Sequence, residues 1–238
     1  MRLPARLLVW PAFALIGLLA PSAPAVAGDR ETELAIANLE AQIAATRLRI
    51  ERVKAYDAIE NLESAYGYYL DKNLWNDLAD LFASDGSMEL AQRGVYVGQD
   101  HIRAFLPAFG GSEGPTVNRL SNHLNLQPVI TVSPDGKTAK VRLRLLQMMG
   151  QADRSAGWGG AVYENELINE NGVWKFQVDH AYNTYNVDYS GGWSKKTSSR
   201  LPGQNQAVPP DRPPTLEFEY FPKVYDIPIH YDNPVTGR

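Results

Sequence analysis

The sequence contains no cysteine, although the chain has 238 residues. This absence excludes a disulfide framework, a thiol nucleophile and a thiolate metal site. The chain must therefore be stabilised by its hydrophobic core, and its length is sufficient for one substantial domain with extensions. Hydrophobic residues make up 44% of the chain and charged residues 21%, which are the values of an ordinary globular protein.

Basic clusters and long apolar runs are also lacking. The net charge is −4 and no basic stripe is present, which argues against nucleic-acid binding. The apolar run over residues 7–20 follows two arginines and precedes the small-x-small pattern Ala25-Val26-Ala27. A membrane anchor is the alternative, but a span needs about 20 apolar residues, and the run over residues 7–20 is shorter than that. The pattern predicts a signal peptide over residues 1–27, and therefore a periplasmic or secreted protein that is free of the membrane after cleavage.

A heptad-like seam follows this leader. Its positions are spaced 3-4-3-4-3 and are Ile36, Leu39, Ile43, Thr46, Ile50 and Val53. The seam predicts an assembly or docking helix from Thr32 to about Lys54, within an N-terminal segment of residues 28–58. Fewer than three heptads are marginal alone, so the helix is expected to need the domain or a sister subunit. A shifted apolar stripe that starts at Ile59 predicts a second helix, which belongs to the core.

The rest of the chain predicts helices first and long strands afterwards. Short elements are expected over residues 75–82, 87–90, 95–97 and 98–110, and period-2 strands over residues 117–132, 137–149, 157–170 and 173–187. This order indicates an α+β layout with helices on one face of an antiparallel sheet. Residues 191–238 begin as a Pro/Ser/Gly-rich linker and end rich in aromatic residues. They predict an extended arm that lies across the domain or a neighbouring subunit.

Four stretches resemble the SnoaL-like branch of the nuclear transport factor 2-like superfamily. They are "YGYYLDKNLWNDLADLFASDGSMEL", "YVGQDHIRAFL", "SNHLN" and "NGVWKF". Together they assign residues 59–190 to a SnoaL-like domain. The resemblance implies a cone-shaped α+β fold, in which a strongly curved mixed or antiparallel sheet and N-terminal helices enclose an apolar cavity, here preceded by the extra helix. By analogy with the dehydratases of this branch, it also implies a homo-oligomer, with a trimer favoured.

The resemblance extends to individual residues. Bile-acid 7α-dehydratases and their relatives place a Tyr, an Asp five residues further on and a His of the first long strand around one pocket. Tyr66, Asp71 and His123 match these positions. Scytalone dehydratases share the Asp and this His but add a His on the penultimate long strand, where this sequence has Tyr163 and two glutamates. His180, on the last strand, could compensate from another wall of the cavity.

These residue types are sufficient for an elimination without a cofactor. An aspartate beside an imidazole fixes the ring tautomer and stabilises its charged form, so His123 can act as general base with Asp71 as its orienter. Tyr66 can protonate a leaving oxygen or polarise a carbonyl. We expect a dehydratase, or a lyase that removes another small fragment by retro-aldol cleavage, acting on a hydrophobic aromatic or polycyclic small molecule. The expected substrate-binding residues are His180, Tyr69, Trp75, Tyr163, Trp158 and Tyr96.

Other readings use the same residues. Tyr66 and Tyr69 could simply pack in the core, Asp71 could end a helix, and His123 could be a half-buried structural histidine. The protein could then be a non-catalytic binding protein, or an isomerase of the ketosteroid type with a carboxylate base. Asp71, His123 and His180 could also form a facial iron site. The usual spacing of such sites is absent, so we expect neither a metal nor a cofactor.

Overall fold

The structure, a computed structural model, describes residues 25–194 and 205–238. Residues 1–24 of the expected signal peptide therefore lie outside the described residues. The chain divides into two compact units, residues 1–45 and residues 46–238. Within the described residues, no helix combines the length and apolar character that a membrane crossing requires.

The N-terminal part of the chain forms one helix, α1, over Ala25–Asp71. The sequence predicted two successive helices, and this expectation is corrected. No glycine or proline lies between residues 32 and 58, so the apolar stripe can shift to another face while the backbone hydrogen bonds continue. In the first unit every described side chain of α1 is exposed. In the second unit α1 buries a stripe that includes Ala55, Ile59, Tyr66 and Leu70.

The second unit contains a mixed sheet of six strands. The strands are β1 (Phe82–Leu90), β2 (Tyr96–Val97), β3 (Arg119–Val132), β4 (Thr138–Gln151), β5 (Ser155–Glu170) and β6 (Val173–Asp188). Their order in the sheet is β2-β1-β6-β5-β4-β3, with β1 parallel to β6 and every other pair antiparallel. The register shifts within the β1–β6, β3–β4 and β5–β6 pairs, and such bulges bend a sheet. The α+β fold class and the long antiparallel strands are therefore confirmed.

Two short helices pack at one end of this sheet. They are α2 (Trp75–Asp80) and α3 (Gln99–Gly110). Helix α2 ends before the predicted residue 82 because Phe82 already belongs to β1. Leu78, Ile102 and Leu106 are fully buried in the core that these helices share with the sheet.

The C-terminal arm lies across the outer face of its own domain. Val95 and Arg212 form an isolated antiparallel bridge. The Gln92 amide and the Phe218 backbone exchange two hydrogen bonds of 2.8 Å each. Further along the arm, His230 Nδ1 lies 2.7 Å from Glu164 Oε2 on β5. These contacts order a segment that the sequence marks only by its aromatic content.

Candidate active site

The site begins where the end of α1 meets strand β3. Asp71 is the last residue of α1, and its Oδ1 lies 2.7 Å from Nδ1 of His123. The same oxygen accepts the backbone N–H of His123 at 2.8 Å. Strand β3 is an edge strand, so this N–H has no neighbouring strand to bond on that side. Asp71 therefore fixes both the strand and the imidazole ring, and both side chains are largely buried.

A glycine allows α1 to approach β3 this closely. A Cβ atom added at Gly67 would lie only 2.9 Å from the carbonyl oxygen of His123. One helical turn away, the Asn125 side-chain amide donates to the backbone oxygen of Glu63 at 2.7 Å. The close approach and this hydrogen bond place the α1 terminus over the strand that carries the histidine.

The second ring nitrogen of His123 is also positioned. Its Nε2 lies 2.6 Å from Nε2 of Gln147, which is the residue paired with His123 across the β3–β4 ladder. A hydrogen on Nδ1 that is donated to Asp71, together with an amide N–H donated to Nε2, leaves the Nε2 lone pair as the acceptor. Gly159 leaves room for this amide, because a Cβ there would lie 2.6 Å from Gln147 Oε1. The ring is therefore held in the tautomer that can accept a proton at Nε2.

This histidine forms part of the wall of a cavity of about 240 Å³ between α1, α3 and the sheet. Apolar side chains and glycine cover much of the wall, with Tyr163 on β5 and Gln147 on β4 as polar members. Arg93 and Arg119 also line the cavity. A separate groove of about 390 Å³ runs along the β3 edge and includes Ser64, Tyr68, Asp71 and His123. His123 thus borders both spaces, whereas Asp71 borders only the groove.

A second polar cluster is fully enclosed behind the cavity wall. The Tyr66 hydroxyl donates to Asp179 Oδ2 at 2.9 Å, and Asn165 Nδ2 donates to the two Glu63 oxygens at 3.0 and 3.2 Å. Burial raises the pKa of Asp179 to about 7, against the hydrogen bond from Tyr66 that lowers it. Burial also raises the pKa of Glu63 to about 8, where the Asn165 bond opposes the shift and the Asp179 charge adds to it.

The two tyrosines of this cluster differ in their access to the cavity. Tyr163 is one of the residues of the cavity wall, whereas Tyr66 lies behind it, with its ring edge-on to Tyr163 and Phe176. Burial raises the pKa of both hydroxyls, so both keep their protons at neutral pH. The tyrosine that faces the cavity is therefore Tyr163, and the expectation that Tyr66 itself lines the pocket is corrected.

Three expected substrate-binding residues lie elsewhere. Trp75 is buried between α2 and α3 and donates from Nε1 to the Gly111 carbonyl at 2.7 Å. Tyr96 stacks on Phe105 at 3.7 Å and donates to the Val208 carbonyl of the arm. Trp158 stacks on Tyr189 instead. Side chains alternate along a strand, and the cavity takes the odd-numbered residues of β4 and β5, so Trp158 points away.

The expectation that His180 binds the substrate is also corrected, because alternation along β6 turns its side chain away from the cavity. Its neighbour Ala181 lines the cavity, while the His180 ring stacks on Tyr182 at 3.9 Å, beneath the arm, with Nε2 3.6 Å from Glu89. His180 therefore cannot join Asp71 and His123 in a facial iron site. Tyr69 is partly buried and packs against the core. Tyr163 is the one expected binding residue that forms part of the cavity wall.

Several residues of the site were not anticipated. Gln147 belongs to a strand whose alternation was recognised, and only the register of β3 against β4 shows that Gln147 faces His123. Glu63 and Asp179 look like surface carboxylates in the sequence, yet both are buried. Arg93 follows β1 in a segment with no distinctive pattern.

Comparison with known proteins agrees with this fold. A family model described as "SnoaL-like domain" matches residues 51–178, which is more than half of the chain. A scytalone dehydratase-like protein of Novosphingobium aromaticivorans is 25% identical, with a TM-score of 0.53 over 66% of this chain and 97% of that one. A type 2 hexachlorocyclohexane dehydrochlorinase (LinA) is 20% identical, with a TM-score of 0.52 over 60% of this chain and 94% of that one, and shows a shared fold. The comparison with curated proteins gave no match.

Proposed function

Because the chain belongs to the SnoaL-like domain family, we propose that it is a cofactor-independent lyase that eliminates water or another small fragment from a flat hydrophobic molecule. The observation that carries the proposal is the Asp71–His123 pair, in which the imidazole lines the cavity and the nitrogen–oxygen distance is 2.7 Å. A pair within hydrogen-bonding reach at a cavity favours catalysis over binding alone. The leader-like residues 1–27 make export part of the proposal.

The reaction divides between the base and a hydroxyl donor. His123 Nε2 takes a proton from the substrate carbon, and the electrons of the broken C–H bond form the new double bond. The bond from the neighbouring carbon to the leaving oxygen then breaks, and a hydroxyl donor protonates that oxygen to give water. The proposed hydroxyl donor is Tyr163, which is the tyrosine in the cavity wall. The Tyr66 ring packs edge-on against the Tyr163 ring. Asp71 stabilises the imidazolium that forms, as a carboxylate does in acid–base catalysis.

The similarity to a scytalone dehydratase-like protein supports the reaction class.

The size of the cavity limits the size of the substrate. About 240 Å³ is below the roughly 300 Å³ at which pockets for drug-sized ligands begin. We therefore propose a compound of one or two rings, and Gln147 would release His123 Nε2 when the substrate enters. Retro-aldol loss of another fragment would use the same base.

The test is an incubation of the protein with a mixture of aromatic metabolites that carry a hydroxyl group β to a carbonyl. Mass spectrometry would follow the loss of water or of a small fragment. We expect wild type to convert at least one compound, and His123→Ala to lower the rate by about 100-fold or more. The matched control is His101→Ala, because His101 has a similar pair with Asp211 at 2.6 Å but lies outside the cavity wall. Equal turnover by wild type and His123→Ala would reject the proposal.

A further inference from the structure

One region of the cavity wall carries two arginines. Arg93 and Arg119 both line the cavity, together with Phe109 and Gly110 of α3. The guanidinium carbon of Arg93 lies 5.0 Å from the centre of the Phe109 ring. An Arg119 nitrogen donates to the Gly110 carbonyl at 2.6 Å. The end of α3 therefore holds both guanidinium groups beside the same space.

Neither arginine has a carboxylate partner among the residues that the structure describes. Arg93 is half-buried, and one of its nitrogens donates to the Leu90 carbonyl at 3.2 Å. A guanidinium has five N–H donors, so Arg93 retains donors beyond the bond to Leu90 and borders the cavity with them. Burial lowers the pKa of Arg93, with the hydroxyls of Tyr220 and Tyr96 opposing the shift.

Arg119 is exposed, whereas Arg93 is a cation without a carboxylate partner at a partly desolvated site, which is costly, and a bound anion would offset this cost. A planar guanidinium also matches the geometry of a carboxylate, with two parallel N–H donors. No carboxylate is among the described residues that line this cavity, and the nearby Asp71 lines the groove along β3, where it is engaged with His123. The chemistry of this part of the wall therefore differs from that of an all-apolar pocket.

We propose that the substrate carries a carboxylate, which Arg93 and Arg119 bind while its ring system lies against the apolar wall. This inference depends on the proposed use of the cavity as the substrate site. Arg119 and His123 are four residues apart on β3, which is roughly 13 Å at the rise of a strand. The carboxylate group and the carbon that reacts would then lie at opposite ends of a molecule of one or two rings. Asn183 and Asn186 of β6 also line the space and can orient polar substituents.

Calorimetry with two probes of the same shape tests this inference. The probes are 2-naphthoate, which is charged, and 2-naphthamide, which is neutral. We expect wild type to bind 2-naphthoate more tightly by about tenfold or more, the order of a charge-assisted hydrogen bond. This preference should fall as salt concentration rises. Arg93→Gln should remove most of the preference and leave the affinity for 2-naphthamide within about twofold, since only the ion pair is lost.

The control variant is Arg154→Gln, because Arg154 is exposed in the turn between β4 and β5 and should keep the full preference. Arg93→Lys keeps the charge and provides a second variant if Arg93→Gln does not fold, and it should retain part of the preference. Equal affinity for both probes in wild type, no binding of 2-naphthoate, or a preference that survives in Arg93→Gln would each overturn the inference.

The same experiment separates this inference from the proposed function. His123→Ala should bind 2-naphthoate with the wild-type preference, because the imidazole takes no part in holding the carboxylate. If turnover depends on His123 but 2-naphthoate is not preferred, only the carboxylate inference is wrong. If 2-naphthoate is preferred but no compound is eliminated, the cavity binds anions without acting as a lyase.

Discussion

Asp71 performs two tasks through a single oxygen. Its Oδ1 accepts both the backbone N–H and the ring Nδ1 of His123, so the carboxylate holds the strand and the ring together. Because Asp71 accepts from Nδ1, the lone pair of Nε2 points toward Gln147 and the cavity. The orientation of the ring thus depends on a contact that also fixes the strand.

We expect Asp71→Asn to lower turnover by roughly 100-fold or more with little change in fold. An amide oxygen can still accept the backbone N–H, but it carries no charge to stabilise the imidazolium, and its NH₂ group can favour the opposite tautomer. Nitrogen-15 NMR of the imidazole should show a larger share of the Nε2–H form. The control is Asp211→Asn, which changes the comparable pair with His101. A rate in Asp71→Asn close to wild type would show that Asp71 acts only on the backbone.

The buried carboxyls predict an unusual dependence of stability on pH. The folded state raises the pKa of Asp179 to about 7 and that of Glu63 to about 8, mainly through burial. Between about pH 4 and pH 8 the folded state therefore holds protons that the unfolded state has released. The free energy of unfolding should fall as pH rises through this window, by roughly 2 kcal/mol or more.

Asp179→Asn tests this prediction. The substitution keeps an oxygen that can accept from Tyr66 but removes the ionisable group, so the fall in stability between about pH 5 and pH 9 should be smaller than in wild type. Urea denaturation at the two pH values measures the difference. Asp153→Asn, at an exposed carboxyl, serves as the control and should reproduce the wild-type slope. An unchanged slope in Asp179→Asn would mean that this carboxyl is ionised in the folded protein throughout the range.

At the scale of elements, the junction of α1 and β3 determines the distance between Asp71 and His123. We expect Gly67→Ala to impair turnover although alanine favours helices by about 1 kcal/mol over glycine. The added Cβ would lie 2.9 Å from the His123 carbonyl oxygen, so α1 must shift away from β3. The Asp71–His123 contact would then lengthen, and the rate should fall by about tenfold or more.

Asn61→Ala provides the comparison for Gly67→Ala. It also replaces a residue of α1 with a better helix former, but its side chain is exposed. This variant should be at least as stable as wild type and equally active. If Gly67→Ala is as active as Asn61→Ala, the close approach at Gly67 is not needed for the site.

The positions of the helices and strands in the sequence were largely predictable. The side of the sheet on which a given side chain lies was not. Alternation and turn signals located β3 to β6 within about two residues, because each strand has a periodic pattern and a clear turn. The side of the sheet that His180 or Trp158 faces depends on the register of the strands. The register of the β5–β6 pair shifts at a bulge between Gly160 and Ala161. The Tyr66–Asp179 pair spans 113 positions, so no local signal indicates it.

At the scale of the whole molecule, the arm completes the domain. Glu89 is almost fully buried, and its carboxylate accepts hydrogen bonds from the backbone and the hydroxyl of Thr215 in the arm. His180 stacks on Tyr182 in the same region, and the Tyr182 ring in turn lies near Phe218 and Tyr225 of the arm. The arm thus covers polar groups on the outer face of the sheet, while the cavity lies on the other face.

The heptad-like seam of α1 leads to the last prediction, which concerns assembly. Ile36, Ile43 and Val53 are 50%, 52% and 67% exposed in the single chain, and every residue from Gly28 to Glu51 is exposed. An amphipathic helix with no covered face gains little stability by itself, and a 3-4 seam is complementary to a copy of itself. We expect a homo-oligomer, with a trimer favoured by the resemblance to the dehydratases, and analytical ultracentrifugation should give the mass of three chains.

Ile43→Glu should dissociate this oligomer, because the charge would lie within the apolar seam. Glu40→Gln, at an exposed position outside the seam, should leave the mass unchanged. A single-chain mass for wild type at micromolar concentration would show that the seam does not drive self-association.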